Sequence, residues 1–104
     1  MNITKFTQKS NEALEGCEKI ALEYGNQEIE EEHLLLSLLR LDDSLILKLI
    51  EKMEINTEYF TDRVITEIEK RPKVSGGKPY VGEYLNKTLN FAEDEAKAMG
   101  DEYV

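Results

Sequence analysis

The sequence predicts an all-α domain, a helical bundle of two pseudo-symmetric repeats of which the second is incomplete. Apolar residues recur at steps of three and four along five segments, which is the spacing of one helical face. The 104 residues include only 2 prolines and 6 glycines, so long helices are allowed. The first and last helical segments also match each other when the chain is shifted against itself. The length suits a single domain over residues 1–104.

The first predicted helix runs from about Thr7 to Tyr24. Ala13, Ala21 and their apolar neighbours fall on one face of it. Thr7 can cap the free amides at its start, and Gly25 can close its last turn in the left-handed conformation. These signals define both ends of the helix from residue type alone.

The second predicted helix, about Glu30 to Arg40, has the richest apolar content. Three glutamates crowd its first turn, where carboxylates complement the positive end of the helix dipole. From Leu34 to Leu41 it is apolar nearly all round, so we expect it to be buried on more than one side.

Two shorter helices follow. A turn at residues 42–44 precedes a third helix over about 45–53. The fourth helix covers about 58–70, and Asn56 or Thr57 is expected to cap it.

The composition then changes to that of a linker. Residues 71–81 contain both prolines and two adjacent glycines, which favour turns over helix. A fifth helix is predicted from about Glu83 to Met99. The chain therefore divides into a first repeat over about 1–70, a linker over 71–81 and a partial second repeat over 82–104.

A shift of about 75 residues superposes the fifth helix on the first. Leu14 then meets Leu89, Ala21 meets Ala96, and Gly25 meets Gly100. On this alignment, a second leucine-rich helix should follow Val104, so we expect either a fragment cut short within its second repeat or a fold completed by a second copy. The apolar face of the fifth helix, which carries Leu85, Leu89 and Ala96, would then pack against the first repeat, another copy or an apolar peptide.

The charge balance narrows the classes of partner. The chain carries 22 acidic and 13 basic residues, a net charge of −9, which disfavours nucleic acid and anionic membranes. Cys17 is the single cysteine, so no internal disulfide can form. No apolar run approaches the ~20 residues needed to cross a bilayer. These features predict a cytoplasmic protein with no membrane and no nucleic-acid partner.

Catalytic chemistry finds little support. The segment Ser75–Lys78 resembles a phosphate loop, but Pro72 and Pro79 occupy positions where that motif needs glycine and a hydroxyl side chain. His33 is the single histidine and fits a structural role at a helix start better than a metal site. Cys17 lies on an apolar face, which favours packing over nucleophilic chemistry. We therefore expect no enzyme activity, no catalytic residues, no metal and no cofactor.

Several segments resemble a known family. Thr7, Gly25 and the run 32–36 (Glu-His-Leu-Leu-Leu) are similar to the repeat of Clp amino-terminal domains. Residues 24–29 and 71–77 resemble specifically those of ClpB-type AAA+ disaggregase chaperones. The resemblance implies a bundle of eight helices in two repeats, placed flexibly ahead of an ATP-driven ring.

The resemblance also implies a function. In ClpB-type proteins this domain docks unfolded or aggregated clients for a hexameric ATPase, whose ATPase modules would lie downstream of this chain. By position, Thr7 matches a residue implicated in client handling, and Asp101 matches its acidic partner in the second repeat. The truncated form is also a candidate for homodimer formation.

An alternative reading stays open: an adaptor- or partner-docking structural domain of a ClpC- or ClpA-like unfoldase, without intrinsic affinity for clients. In ClpC-type domains, the acidic residue before the histidine helps to read phosphorylated arginine. Glu32 occupies that position here, which makes it a candidate secondary acidic contact.

Overall fold

In a computed structural model of the protein, residues 7–41, 45–74 and 76–100 are described. They form five helices and one two-stranded parallel sheet: α1 (Gln8–Tyr24), β1 (Glu28–Ile29), α2 (Glu31–Arg40), α3 (Leu45–Lys52), α4 (Thr57–Glu69), β2 (Tyr80–Val81) and α5 (Glu83–Ala98). The predicted all-α fold is confirmed. None of the helices in these ranges is long and apolar enough to cross a membrane.

Helix ends follow the predicted capping chemistry. The Thr7 hydroxyl accepts a hydrogen bond from the backbone N–H of Ser10 at 3.2 Å. Asn56, one of two candidates for the cap of α4, accepts one from the N–H of Tyr59 at 2.9 Å. Gly25 ends α1 with φ of 72°, a conformation that strongly favours glycine. The predicted turn at 42–44 lies outside the described residues.

The larger of two core clusters among the described residues joins α1, α2, α3 and α4. Its buried members are Ile20, Leu36, Leu39, Ile50, Val64 and Ile68. The leucine-rich α2 contributes Leu36 and Leu39, and Leu35 packs against the cluster from its edge. Leu34 of the same helix packs against the other core cluster, so α2 is buried on more than one side, as expected.

The smaller cluster attaches α5 to the first repeat. Leu85 and Leu89 are buried against Cys17, Ala21 and Ile29. Of the three covers expected for this face of α5, the first repeat is the one the structure shows for these two leucines.

The remaining part of the predicted face differs. Ala96 is half-buried and Met99 is exposed. The burial of Leu85 and Leu89 removes the main reason for expecting a second copy on this helix. A homodimer stays a prediction, which light scattering on the 104-residue chain would test.

The two strands were not predicted. Glu28 pairs with Tyr80 and Ile29 with Val81, and the N–H of Gly82 donates to Ile29 O at 2.8 Å. Two-residue strands are too short to leave a periodic signal in the sequence. Residues 71–81, predicted as a linker from their composition, are thus tied to the first repeat by main-chain hydrogen bonds. The division of the chain into repeats and linker stays a prediction.

The internal repeat is visible in the two helices that it relates. Thr7 and Gly82, which precede α1 and α5, occupy equivalent positions in the shifted alignment. Gly25 and Gly100, which follow the same helices, have φ of 72° and 79°. Both helices are thus followed by a left-handed glycine at the equivalent position of the shifted alignment, which is consistent with pseudo-symmetric repeats.

The attachment of α5 predicts an asymmetry between two leucines. Leu85→Ala should lower the free energy of unfolding by about 2–5 kcal/mol, because Leu85 is fully buried. Leu45→Ala should change it by less than about 0.5 kcal/mol, because Leu45 on α3 is 70% exposed. Urea unfolding followed by circular dichroism measures both. Equal costs would contradict the packing of α5 on the first repeat.

Candidate functional site

Two of the three sequence-predicted residues lie at helix starts, Thr7 at that of α1 and Glu32 in the first turn of α2. Thr7 is exposed at the start of α1, and its Oγ1 both accepts from the N–H of Ser10 and donates to Ser10 Oγ at 3.1 Å. Asp101, its expected acidic partner, lies outside the described residues and directly follows Gly100 in the sequence. The structure therefore places Thr7 and leaves the pairing with Asp101 a prediction.

Glu32, the candidate secondary contact, is already bound by the chain itself. Arg71 Nε donates to Glu32 Oε2 at 2.6 Å, and the Nη2 group contacts the same oxygen. Both side chains are partly buried, with 28% of Arg71 and 32% of Glu32 exposed, which strengthens the pair relative to a fully solvated one. Both contacts of Arg71 are to Oε2, so a guanidinium-bearing ligand would have to compete with Arg71 for that oxygen.

Glu30 performs a role that the sequence did not suggest. It is 2% exposed, and its Oε1 accepts a hydrogen bond from the backbone N–H of Leu85 at 3.1 Å. Leu85 is the third residue of α5, whose cap position is held by Gly82 with no side chain to offer. The carboxylate of Glu30 therefore caps α5 from another element, where its negative charge also complements the helix dipole.

Gly82 makes this capping possible. A Cβ at this position would overlap the Oε1 and Cδ atoms of Glu30. The absence of a side chain thus admits the carboxylate to the first turn of α5. The sequence offers a glycine at the predicted start of α5 and a glutamate at the predicted start of α2. Nothing in a single sequence links these two residues.

His33 lies at the centre of a buried polar network. The imidazole is fully buried; its Nδ1 accepts from the N–H of Glu30 at 2.9 Å, and its Nε2 lies 3.0 Å from Asn26 Oδ1. Asn26 is also buried, and its Nδ2 donates to the carbonyl of Pro72 at 3.2 Å. We call Asn26, Glu30 and His33 the polar cluster. It fastens the chain on both sides of β2 to the first repeat.

The environment sets the ionisation of two side chains. Burial lowers the pKa of His33 below its usual value, and the nearby Arg71 guanidinium lowers it further, while the Glu32 carboxylate and a backbone hydrogen bond with Glu30 act in the opposite direction. Burial raises the pKa of the Cys17 thiol to about 12. Cys17 is therefore a protonated core side chain at neutral pH, as its packing against α5 requires.

Metal ligands do not converge within the described ranges. No group of three or more histidine, cysteine, aspartate or glutamate side chains there could hold an ion. Cys17 and His33 do not form a nucleophile–base pair, because they belong to separate buried environments.

Two exposed aromatic side chains lie on α5. Tyr84 and Phe91 are 67% and 64% exposed and lie two turns apart on one face of the helix. Tyr84 borders a depression of about 220 Å³ whose other lining residues are Glu30, Glu31, Glu32 and Arg71. An apolar surface beside carboxylates suits peptide segments that combine apolar and basic side chains.

Comparisons with known proteins cover nearly the whole chain. The Clp repeat (R) N-terminal domain family matches residues 5–104. The chain is 39% identical over 109 residues to the chaperone protein ClpB of Nitratidesulfovibrio vulgaris and 41% identical over 104 residues to that of Porphyromonas gingivalis. Each alignment takes in 100% of this chain but only 13% and 12% of the respective relative, so the chain spans about an eighth of their length.

Solved structures agree on the fold. The N-terminal domain (1–163) of the ClpV1 ATPase from E. coli superposes with a TM-score of 0.88 and 22% identity, covering 98% of this chain and 63% of that one. A second structure, that of a peptide from the EAEC T6SS Sci1 SciI protein, superposes with a TM-score of 0.85 and 21% identity, over 98% of this chain and 65% of that one. At these identities the likeness establishes the fold.

The capping role of Glu30 predicts a contrast between neighbouring glutamates. Glu30→Ala should lower the free energy of unfolding by about 1–3 kcal/mol, because it removes the cap and leaves a buried N–H unpaired. Glu31→Ala should cost no more than about 0.5 kcal/mol, since that exposed carboxylate only accepts from the Thr88 hydroxyl at 2.8 Å.

Gly82→Ala provides the complementary change. Its methyl group should expel the Glu30 carboxylate, so combining it with Glu30→Ala should cost less than the sum of the two single losses. Urea denaturation of the four variants measures this coupling. Additive losses would show that Glu30 does not cap α5.

Proposed function

This chain belongs to the Clp repeat N-terminal domain family, and we propose that it docks unfolded or aggregated polypeptide for a ClpB-type disaggregase in the cytoplasm. The domain itself is not catalytic; the ATPase modules lie in the larger homologues. The observation that carries the proposal is the match of the family over residues 5–104, together with ClpB chaperones among the relatives. The partners are then client chains and the remainder of a hexameric ATPase.

The exposed surface of α5 supports this proposal. Tyr84 and Phe91 expose about two thirds of their area to solvent, at 67% and 64%. The protein carries a net charge of −9, which attracts basic segments and repels acidic ones. Unfolded chains expose the apolar side chains that folded proteins bury, so such a surface favours them over folded partners.

Thr7 and Asp101 are proposed to contact the client. Thr7 is exposed, so a client can reach its hydroxyl without opening a core. The competing function, docking of a folded adaptor, would use the same region with little affinity for unfolded chains. Glu32 is proposed as a contact only for that alternative, in which the partner would compete with Arg71 for the Oε2 atom.

A binding assay separates the two functions. Fluorescence anisotropy of a labelled, permanently unfolded protein should rise on addition of the chain, with a dissociation constant in the weak, micromolar-or-above range expected of a small apolar surface. Phe91→Ser should weaken binding by about threefold or more, because it removes an exposed anchor. Met53→Ser is the matched control, since Met53 is 67% exposed on the α3 side of the molecule and should leave binding unchanged.

The same assay tests the two contact residues. Thr7→Ala and Asp101→Asn should each weaken binding, whereas Thr7→Ser should bind normally because it keeps the hydroxyl. Thr7→Ala also removes a helix cap, which costs about 1 kcal/mol, so its folded state is verified by circular dichroism. Absence of binding to the unfolded protein, alongside a folded wild-type chain, would reject client docking and favour the adaptor alternative.

A further inference from the structure

The hydrogen bonds of His33 require one particular neutral tautomer. Nδ1 accepts from the N–H of Glu30, which can only donate, so Nδ1 carries no proton. Nε2 must then carry the proton, and it donates to Asn26 Oδ1. The Asn26 amide is oriented by its own donation to the Pro72 carbonyl, which is consistent with this assignment.

Protonation of the ring would destroy this arrangement. The added proton would sit on Nδ1 and face the N–H of Glu30 at a nitrogen–nitrogen separation of 2.9 Å. Two donors cannot share that contact, so either the ring or the Glu30 backbone has to move. The charged ring would also occupy a fully buried site, where an ion loses its hydration.

Two residues attach the segment 72–85 to the first repeat, Asn26 and Glu30, and each of them is hydrogen-bonded to the His33 ring. On one side, Asn26 connects it to Pro72. On the other side, Glu30 caps α5 through Leu85, and its neighbour Ile29 accepts from Gly82. A movement of His33 therefore disturbs the anchors at both ends of residues 72–85.

We propose that His33 is an acid-sensitive latch, which holds the segment from Pro72 to α5 on the first repeat while neutral and releases it when protonated. The client-facing aromatic side chains Tyr84 and Phe91 lie on the released element. The latch itself follows from the contacts of the polar cluster and does not depend on client binding.

The charges around the ring favour its neutral form. The guanidinium of Arg71, in the segment before β2, lowers the pKa of His33. The carboxylate of Glu32, in α2, raises the pKa of His33 and is itself hydrogen-bonded to Arg71. The carboxylate of Glu30, at the start of α2, is directed to the amide of Leu85. Glu28 of β1 accepts a hydrogen bond from the Tyr80 hydroxyl, and Glu31 of α2 accepts one from the Thr88 hydroxyl. These two carboxylates therefore face β2 and α5, respectively.

The direction of the pH dependence follows from linkage. The pKa of His33 is lower in the folded protein than the unfolded value of about 6.5, so the unfolded state binds more protons below that pH. The contribution of His33 to stability is complete above about pH 6.5 and is lost as the pH falls towards the folded pKa. The folded-to-unfolded ratio should fall by up to about tenfold per pH unit in that window.

The first measurement is the proton titration of the ring. The chain contains 1 histidine, so its Cε1–H resonance is unambiguous. Its midpoint should lie below about 6.5, the value for an unfolded peptide. A midpoint at or above that value would overturn the proposal.

The second measurement locates the release. Amide hydrogen exchange of Tyr80, Gly82 and Leu85 should lose up to about tenfold protection between pH 6.5 and 5.5, after correction for the intrinsic rate. The buried α4 residues Val64 and Ile68 should keep their protection over the same range.

His33→Gln is the matched control. Glutamine at the third position of a helix can accept from the cap residue's N–H, as Nδ1 of His33 does, but it does not titrate. The variant should therefore keep the protection of the three amides at pH 5.5. Equal loss of protection in both proteins would assign the effect to carboxylates, and equal loss in α4 would show global unfolding; either result overturns the latch.

Discussion

The attachment of α5 depends on one buried carboxylate. Glu30 stands at the junction of β1 and α2 and reaches across to the first turn of α5, where Gly82 leaves it room. An isolated buried carboxylate is costly, and this one is tolerated because the helix start supplies a donor and a favourable dipole. The same interaction therefore satisfies the charge of Glu30 and the end of a helix that has no cap of its own.

The apolar packing of α5 complements that anchor. Leu85 lies both in the capped turn and in the small core cluster with Cys17, Ala21 and Ile29. Its backbone and its side chain are thus held by two different kinds of interaction on the same surface of the first repeat. The segment between α4 and α5 contains two prolines and two adjacent glycines, yet it includes the strand β2. This strand lies between two attached points, the Pro72 contact and the capped first turn of α5, and both hold it against the first repeat.

The sequence predicts what depends on local chemistry. The helix ends at Thr7, Gly25 and Asn56 follow from side-chain and backbone preferences within a few residues of each position. The leucines of the second helix predict that it is buried. The face of α5 was also predicted correctly as apolar, although the sequence left open what covers Leu85 and Leu89.

The polar cluster could not be predicted in the same way. Glu30 and Leu85 are separated by 55 positions, and Asn26 and Pro72 by 46, so neither pair produces a periodic signal. Three adjacent glutamates look equivalent in the sequence, yet Glu30 is buried, Glu31 is exposed and Glu32 is paired with Arg71. The three environments differ because Glu30 and Glu31 contact α5, whereas Glu32 contacts Arg71 in the segment before β2. These elements are distant in the sequence and lie beside the glutamates only in the folded chain.

The starts of α1 and α5 are capped in different ways, although the two helices occupy equivalent positions in the shifted alignment. Thr7 caps α1 with its own hydroxyl and stays exposed, whereas the equivalent Gly82 is buried and depends on Glu30. A partner can therefore contact the start of α1 without disturbing a core, while any contact at the start of α5 has to compete with a buried carboxylate. The domain thus contains one closed helix start, where Glu30 holds α5, and one exposed helix start, where the proposed client contact at Thr7 lies.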